Sequence, residues 1–175
     1  MFERQSQAVG GITINSPRRS WRDAIFILTA LLVVILDQIT KTWIRSYAEG
    51  ETIFESALLR IVRGQNTGAV FGTFQGFSFA LTILTSIVII ALLVCVFLFW
   101  RRTYYLNNDF ARTAVSLYIG GAVGNLIDRI RFGSVTDFID FRIYPWAFNI
   151  ADAAMTTAVI TFIYSILFLS KPAKE

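Results

Sequence analysis

The sequence predicts an all-α membrane protein with four transmembrane helices, a small extracytoplasmic β-element and an interfacial loop. The first observation behind this fold class is composition: 55% of the 175 residues are apolar, only 16% are charged, and the mean hydropathy is +0.58. Soluble domains are less apolar and carry more charge. The second observation is a pair of uncharged runs, 77–100 and 153–170, each long enough for a helix to cross a bilayer.

Two further runs complete the set of four spans, which are expected over about 24–44, 77–100, 111–130 and 150–170. The first contains Asp37 and Lys41, and the third has only 15 uncharged residues before Asp128 and Arg129. The motif Ser46-Tyr47-Ala48 resembles a signal-peptide cleavage site, but the charges inside the first run favour a retained helix. Residues 1–20 are then a polar tail, 21–170 one transmembrane domain and 171–175 a basic end.

The distribution of lysine and arginine predicts the orientation of the spans. Nine cations and four acids lie before span one, between spans two and three, and after span four, a net charge of +5. The other side has seven cations and eight acids, a net charge of −1. Both termini are therefore expected in the cytoplasm, with the basic excess attracted to anionic lipid and with no nucleic-acid partner. Four tryptophans are expected at the membrane interfaces: Trp21, Trp43, Trp100 and Trp146.

The two segments between the spans on the outer side are too long to be simple turns. Residues 52–62 contain β-branched and aromatic residues and are followed by a turn-like stretch at 63–68, which predicts a small β-element. Residues 130–150 are rich in apolar side chains and are expected to form a loop in the membrane interface.

The absence of histidine limits the chemistry that this chain can perform. It excludes a Ser-His-Asp triad, a Cys-His pair and a histidine-ligated zinc site. The one cysteine, Cys95, lies within an apolar run, where thiolate formation is disfavoured. Any hydrolysis must therefore use carboxylates, lysine or a hydroxyl group.

On the predicted topology, polar residues that are scattered over more than a hundred positions come together near the outer interface. Ionisable groups within a membrane are costly and usually face one another or a wet cavity, so this collection is a candidate functional site. Its members are Asp37, Lys41, Asn66, Asn125, Asp128, Arg129, Asp137, Asp140, Asn149 and Asp152.

Several of these residues also have a purely structural interpretation. Asp37 and Lys41 have the i, i+4 spacing of a helical ion pair, which is favoured over a catalytic role. Asp128 beside Arg129 is interpreted in the same way, as an ion pair at a helix end.

Helix capping and helix packing explain others. Asn149 can cap the fourth span with Asp152 at its third position, as in a capping box. Gly120 and Gly124 have the small-xxx-small spacing of a helix-packing face. The stretch 66–68 can be a simple turn.

Asp137 is the acid that these interpretations leave without a partner. Two carboxylates in a low-dielectric cleft cannot both ionise easily, so such a pair shares a proton. One member can then activate water while the other protonates a carbonyl oxygen or a leaving amine. Asp137 and Asp152 are the candidates for this pair.

Five sequence blocks, in order, resemble lipoprotein signal peptidase, also called signal peptidase II, a family of bacterial membrane aspartyl proteases. The blocks are DQITK at 37–41, NTGAVFG at 66–72, GGAVGNLIDR at 120–129, VTDF at 135–138 and FNIAD at 148–152. The resemblance covers about residues 36–170 and implies four spans in the bacterial inner membrane, with no cofactor and no metal.

The resemblance also implies a role for individual residues. Asp137 and Asp152 correspond to the catalytic pair. The residues that correspond to a supporting or substrate-binding shell are Asp37, Asn66, Gly68, Asn125, Arg129 and Asn149. Those that correspond to structural positions are Lys41, Asp128, Gly120 and Gly124.

The substrate that the resemblance implies is a prolipoprotein whose lipobox cysteine carries a diacylglyceryl group, cleaved on the N-terminal side of that cysteine. The enzyme would act as a monomer, in contact with membrane lipid, after a prolipoprotein diacylglyceryl transferase.

Three other functions are considered. A small transporter or proton channel would carry polar residues at several depths, which the second span does not. A structural helix bundle leaves Asp137 unexplained. A Ser-Lys protease would have to use Lys41, with Ser46 or Ser134 as the hydroxyl.

Overall fold

The computed structural model describes residues 17–68, 78–99 and 108–169, which form four long helices and a three-stranded antiparallel sheet. Residues 1–16 of the predicted tail at 1–20, part of the second sequence block at 69–72, Trp100 and the basic end at 171–175 lie outside the described residues. The last four residues of that predicted tail, 17–20, belong to the first helix, so the prediction is wrong there. The elements in chain order are α1 Pro17–Ile44, β1 Thr52–Glu55, β2 Leu59–Asn66, α2 Ser78–Phe99, α3 Asp109–Phe132, β3 Val135–Phe141 and α4 Ile150–Tyr164, which continues into one π-helical turn, Ser165–Leu169.

Helix α3 is the central helix and packs against α1, α2 and α4. Its glycines allow this close packing: a Cβ on Gly120 would lie 2.8 Å from the carbonyl oxygen of Ala30 in α1, and one on Gly124 would lie 2.6 Å from Oδ2 of Asp37. Gly121 approaches the backbone of α4 as closely. The predicted small-residue packing face is therefore confirmed at Gly120 and Gly124.

The sheet has the order β1-β2-β3, and β2 pairs with β3 from Leu59 opposite Phe141 to Asn66 opposite Val135. Two predictions are wrong in part here, because residues 63–66 continue β2 and the expected loop at 130–150 contains β3. Gly64 contributed to the predicted turn, but the structure gives another reason for a glycine at this position. A Cβ at this position would lie 2.9 Å from the carbonyl oxygen of Asp137, so glycine allows the two strands to approach closely.

The outer surface of the helices is apolar. In the described ranges, Trp21–Ile44 and Ile150–Leu169 are long and apolar enough to cross a membrane, and Phe79–Cys95 is a shorter apolar stretch. Large apolar side chains on α1, α2 and α4 are exposed; Leu28, for example, is 63% exposed. Such a surface is expected where helices face lipid instead of water.

Two tight junctions bring β3 between α3 and α4. Helix α3 ends at Gly133, whose positive φ of 70° is the left-handed conformation that glycine adopts readily, and whose N–H donates to the carbonyl of Arg129. At the other end, Phe148 pairs with Ile139 in an isolated bridge, which returns the chain to the start of α4. The acids of β3 and α4 are thereby brought to the same end of the helix bundle.

Candidate active site

Asp137 lies in β3, where it is buried and accepts two amide hydrogen bonds. Nδ2 of Asn66 lies 3.0 Å from its Oδ2, and Nδ2 of Asn149 lies 2.7 Å from its Oδ1. Asn66 comes from the end of β2, and Asn149 immediately precedes α4. The acid that had no evident partner in the sequence is thus held on both oxygens by neutral donors.

Asp152 lies in the first turn of α4 and forms the predicted capping box with Asn149. The Asn149 side-chain oxygen accepts from the backbone N–H of Asp152 at 2.9 Å, and Oδ2 of Asp152 accepts from the backbone N–H of Asn149 at 3.2 Å. The other oxygen, Oδ1, accepts from Nδ2 of Asn125 at 2.8 Å. The capping prediction is confirmed, and capping leaves the carboxylate turned toward Asn125 of the neighbouring helix.

Asn149 connects the two acids. It is fully buried, its side chain donates to Asp137, and its backbone N–H donates to Asp152. Burial, followed by the negative charge of Asp152, raises the pKa of Asp137 from 3.8 to about 7, while the hydrogen bonds from Asn66 and Asn149 and the charge of Lys41 oppose this rise. Near neutral pH this site can therefore hold one proton between two carboxylates.

Arg129 lies beside this pair, on the side of the loop that follows β2. Its Nη2 donates to the carbonyl oxygen of Gly68 at 3.3 Å, and the Gly68 N–H donates to Oδ1 of Asn66 at 2.9 Å. The predicted ion pair between Asp128 and Arg129 is wrong. Consecutive helical side chains point about 100° apart, so Asp128 faces α1, while the charge of Arg129 interacts most strongly with Asp152, then with Asp137, and least with Asp128.

A second set of charges lies behind the pair and is called the α1–α3 charge cluster: Asp37, Lys41, Arg45 and Asp128. The predicted Asp37–Lys41 ion pair is confirmed at 2.9 Å between two fully buried side chains. Asp128 is also fully buried and pairs with Arg45 at 3.1 Å and with Lys41 at 3.7 Å. Each acid of this cluster therefore has a cation, as buried charges require.

The cluster contacts the acid pair through its neighbours. Lys41 donates to Oδ1 of Asn125 at 2.7 Å, and Asn125 donates in turn to Asp152. Asp37 accepts from the backbone N–H of Ala151, in the first turn of α4, at 3.0 Å. Asp37 and Lys41 thus help to hold the helix that carries Asp152.

Comparison with known proteins identifies the family of this chain. The family model for signal peptidase (SPase) II matches residues 29–168. The chain belongs to the signal peptidase II family. It is therefore an aspartic peptidase by family, and a carboxylate pair is the chemistry that such an enzyme requires.

The relatives cover most of the chain. The lipoprotein signal peptidases of Staphylococcus aureus strains JH9 and Newman are each 40% identical over 154 residues, which is 85% of this chain and 91% of the relative. Two solved structures, described as bacterial membrane enzymes determined by the in meso method at 2.3 and 1.9 Å, have TM-scores of 0.74 and 0.71 and identities of 35% and 37%. The matches cover 87% and 83% of this chain and 94% of each solved chain.

Three polar side chains of this signal peptidase II family member were missed in the sequence: Gln38, Arg45 and Thr136. Nε2 of Gln38 lies 3.2 Å from Oδ1 of Asp128 and 3.1 Å from the carbonyl oxygen of Gly124. Arg45 follows Lys41 by four residues, so helical spacing places it on the same face of α1 and could have revealed it. Thr136 gave no such signal, because its contacts depend on how β3 lies against the helices.

Other residues considered from the sequence lie outside the pair. Asp140 is three residues beyond Asp137 but forms an ion pair with Arg60 at 2.6 Å. The hydroxyl of Ser46 donates to the backbone carbonyl of Trp43, and Lys41 is occupied by Asp37, Asn125 and Asp128, so the contacts of the described residues do not support a Ser-Lys pair. The described ranges contain no group of three or more acids or cysteines that could hold a metal ion.

Proposed function

We propose that this chain cleaves the signal peptide from diacylglyceryl-modified prolipoproteins, with Asp137 and Asp152 as its catalytic residues. The observation that carries this proposal is the sharing of Asn149 by two carboxylates from different elements, the half-buried Asp152 and the buried Asp137, whose pKa is raised to about 7. Membership of the signal peptidase II family supports the same reaction. Cleavage would be N-terminal to the lipid-modified cysteine.

The chemistry follows from a pair of carboxyl groups that share one proton. The ionised carboxylate accepts a proton from a water molecule, whose oxygen attacks the carbonyl carbon of the scissile peptide bond. The protonated member donates to the carbonyl oxygen as negative charge develops there. When the tetrahedral intermediate collapses, the carbon–nitrogen bond breaks and the leaving amine takes a proton from the pair.

The surrounding residues would divide into two roles. Asn66, Asn125 and Asn149 hold the two carboxylates through amide donors, which orient them without cancelling their charge. Arg129 and Gly68 lie at the edge of the pair toward the loop after β2, where Arg129 can bind a substrate carbonyl. Its Nε has no hydrogen-bond partner in the described part of the chain.

The membrane arrangement is part of the proposal. The four helices would all span the bacterial inner membrane, with the tail at 1–20, the loop between α2 and α3 and the end at 171–175 in the cytoplasm. The apolar outer surface of α1, α2 and α4 supports this. Helix α3 is less apolar, but it is covered by the other three helices, so it needs less contact with lipid. The acid pair would then lie at the outer interface.

At this depth, the sheet would rest on the outer leaflet. Its far end exposes apolar and aromatic side chains, among which Ile143 is 83% exposed and Tyr144 and Trp146 pack edge to face. Such residues favour the membrane–water boundary. A substrate anchored by its diacylglyceryl group would present its scissile bond at the same level. The enzyme would act as a monomer, after the diacylglyceryl transferase, without nucleic acid or a cofactor.

The experiment uses the purified protein, a prolipoprotein peptide with a diacylglyceryl-modified cysteine, and the variants Asp137→Asn and Asp152→Asn. Each variant should lower kcat by at least about 1,000-fold, because loss of a general acid or base that also activates the nucleophile removes several kcal/mol of transition-state stabilisation. The unmodified peptide should be cleaved poorly by the wild-type enzyme.

Asp140→Asn is the matched control, since it removes a carboxylate from the same strand that is paired with Arg60 and lies away from Asn149. It should keep near wild-type activity. Thermal unfolding of Asp152→Asn is measured in parallel, because a role in capping alone predicts a lower Tm with cleavage retained. Near wild-type turnover by a folded Asp137→Asn or Asp152→Asn variant would exclude the proposed pair.

A further inference from the structure

Thr136, the residue before Asp137, is held on all three of its polar groups. Oδ2 of Asp128 accepts its backbone N–H at 2.9 Å, and Nη1 of Arg45 lies 3.1 Å from its hydroxyl. The side chain of Asn149 lies 3.4 Å from its carbonyl oxygen. Because Thr136 is buried at the start of β3, these three bonds tie this end of the strand to α3, to Arg45 and to Asn149, in addition to its pairing with β2.

Arg45 is itself held from several directions. The same Nη1 that contacts Thr136 lies 3.1 Å from Oδ1 of Asp128, and Nη2 lies 3.2 Å from the hydroxyl of Thr42. The guanidinium lies over the ring of Phe132, 4.5 Å from its centroid. The flat guanidinium therefore has a fixed orientation between the end of α1 and the start of β3, which a flexible lysine would lack.

From these contacts we infer that Arg45 and Thr136 form a positioning link, which holds Asp137 at hydrogen-bond distance from Asn149 and Asn66. This inference rests on the proposed function of Asp137. Neither Arg45 nor Thr136 has a hydrogen bond to either acid in the described residues, so the link acts through the backbone of β3. The cluster of charges behind the site thereby orients the acid pair without neutralising it.

The consequence is a defect in turnover more than in substrate binding. If the hydroxyl of Thr136 is lost, Thr136 keeps two of these three contacts besides its pairing with β2, and Asp137 can move relative to its amide donors. Displacements of about 1 Å in an active site can cost about 100-fold in rate. Thr136 lies on the side of β3 toward Arg45 and Asp128, so KM should change little.

The test compares Thr136→Val, which keeps the shape of the side chain and removes its hydroxyl, with Thr136→Ser, which restores the hydroxyl. On the lipid-modified peptide, Thr136→Val should lower kcat about 10-fold with KM within about twofold of wild type. Thr136→Ser should stay within about twofold in kcat. Thr42→Val is the matched control, because it removes the other hydroxyl that contacts Arg45 but has no connection to β3.

The pH profile of kcat separates positioning from partial unfolding. Asp137 faces Asp152 of α4, Lys41 of α1, Arg129 of α3 and the amide of Asn66 in β2. If the amide donors of Asn66 and Asn149 move away, the pKa of Asp137 rises and the alkaline limb of the profile moves to higher pH. Unfolding would lower the amplitude of the profile without moving the limb.

Arg45→Lys keeps the charge but replaces the guanidinium, and it provides a second route if Thr136→Val folds poorly. It should lower kcat to a similar extent, and the double variant Arg45→Lys/Thr136→Val should be no slower than the slower single variant, because both break the same link.

Additive losses, or equal losses for Thr136→Val and Thr42→Val, would overturn the inference, as would full activity of Thr136→Val with an unmoved limb. These outcomes are distinct from failure of the proposed function, in which the wild-type enzyme does not cleave the peptide or Asp137→Asn still does.

Discussion

The two groups of acids at this end of the helix bundle differ in the groups that contact their carboxylates. In the α1–α3 charge cluster, Asp37 and Asp128 each have a lysine or arginine nitrogen within 4 Å. In the acid pair, Asp137 and Asp152 accept hydrogen bonds from asparagine side chains and backbone instead, and the described residues provide neither with an ion pair. Asn125 contacts both groups, since it accepts from Lys41 and donates to Asp152. The two groups are therefore neighbours, but only one of them contains ion pairs.

This difference explains why adjacent carboxylates can have different roles. A carboxylate that is ion-paired with a buried cation has a fixed position and serves as a hydrogen-bond acceptor, as Asp128 does for the backbone N–H of Thr136. A carboxylate held by neutral amides keeps its orientation, while burial disfavours its ionised form. Asp137 is of this kind and can take up and release a proton near neutral pH.

The largest expected effect on stability comes from removing a cation from the α1–α3 charge cluster. Lys41→Met leaves Asp37 without its cation, and Asp128 with Arg45 alone, in a fully buried site, so the free energy of unfolding should fall by about 3–5 kcal/mol. Thermal or denaturant unfolding in detergent measures this loss. A Ser-Lys mechanism predicts something else, namely a variant that is fully folded and inactive.

The double variant Lys41→Met/Asp37→Asn is the control for charge. It removes the unpaired carboxylate but keeps a side-chain oxygen that can accept from the backbone N–H of Ala151, so it should recover part of the lost stability. If the double variant is less stable than Lys41→Met alone, the loss does not come from an uncompensated charge.

The sequence could predict the parts of this arrangement that depend on local spacing. The i, i+4 separation of Asp37 and Lys41 and the three-residue separation of Asn149 and Asp152 each specify a contact within one helix, and both contacts are present. The bounds of the four helices also follow from the hydrophobic runs to within a few residues, except at the start of α1, which begins at Pro17 in a polar stretch before the run.

The parts that could not be predicted depend on how separate elements pack. Asp128 was assigned to its sequence neighbour Arg129, whereas the packing of α3 against α1 brings it to Arg45, 83 residues away. Strand β3 was taken for a loop, because its pairing with β2 is not visible in local composition. The asparagine donors to Asp137 also depend on the placement of β3: Asn66 reaches it through the pairing of β2 with β3, and Asn149 through the bridge between Phe148 and Ile139.

A smaller effect should come from the acid pair, whose carboxylates have no ion pair in the described residues. Removing the Asp137 carboxylate should raise the free energy of unfolding relative to wild type as the pH increases, whereas Lys41→Met lowers it. The pKa of Asp137 is about 7 in the folded protein and near 4 when unfolded, so the folded state binds the proton more tightly. The contribution of Asp137 to the free energy of unfolding is then greatest below pH 4 and falls as the pH rises to about 7. Between pH 5 and pH 8, this single group accounts for a loss of about 2–3 kcal/mol.

Asp137→Asn should remove that loss, so the variant becomes more stable relative to wild type at pH 8 than at pH 5. Unfolding at both pH values measures the difference, in which any constant cost of the substitution cancels. Asp140→Asn controls for removal of a carboxylate from β3 and should not reproduce the effect. An equal difference between Asp137→Asn and wild type at the two pH values would show that Asp137 is compensated after all.

The smallest and most specific effect concerns one hydrogen bond. Nδ2 of Asn66 donates to Oδ2 of Asp137 and stabilises its ionised form, so Asn66→Ala should raise the pKa of Asp137 further. The alkaline limb of the kcat profile should therefore move upward by about one pH unit, which corresponds to about 1.4 kcal/mol. The amplitude should also fall, because Asn66 accepts from the Gly68 N–H and its loss frees the loop near Arg129.

Gln65→Ala is the matched control, since Gln65 is the preceding residue of β2 and is exposed, with its side chain on the opposite face of the strand. It should leave the position of the limb unchanged. A limb that moves to lower pH in Asn66→Ala would mean that this amide favours the protonated acid, and a limb that stays in place would mean that Asp137 does not control it. The first result would contradict the direction in which Asn66 acts on Asp137, and the second would assign the proton that limits kcat to a group other than Asp137.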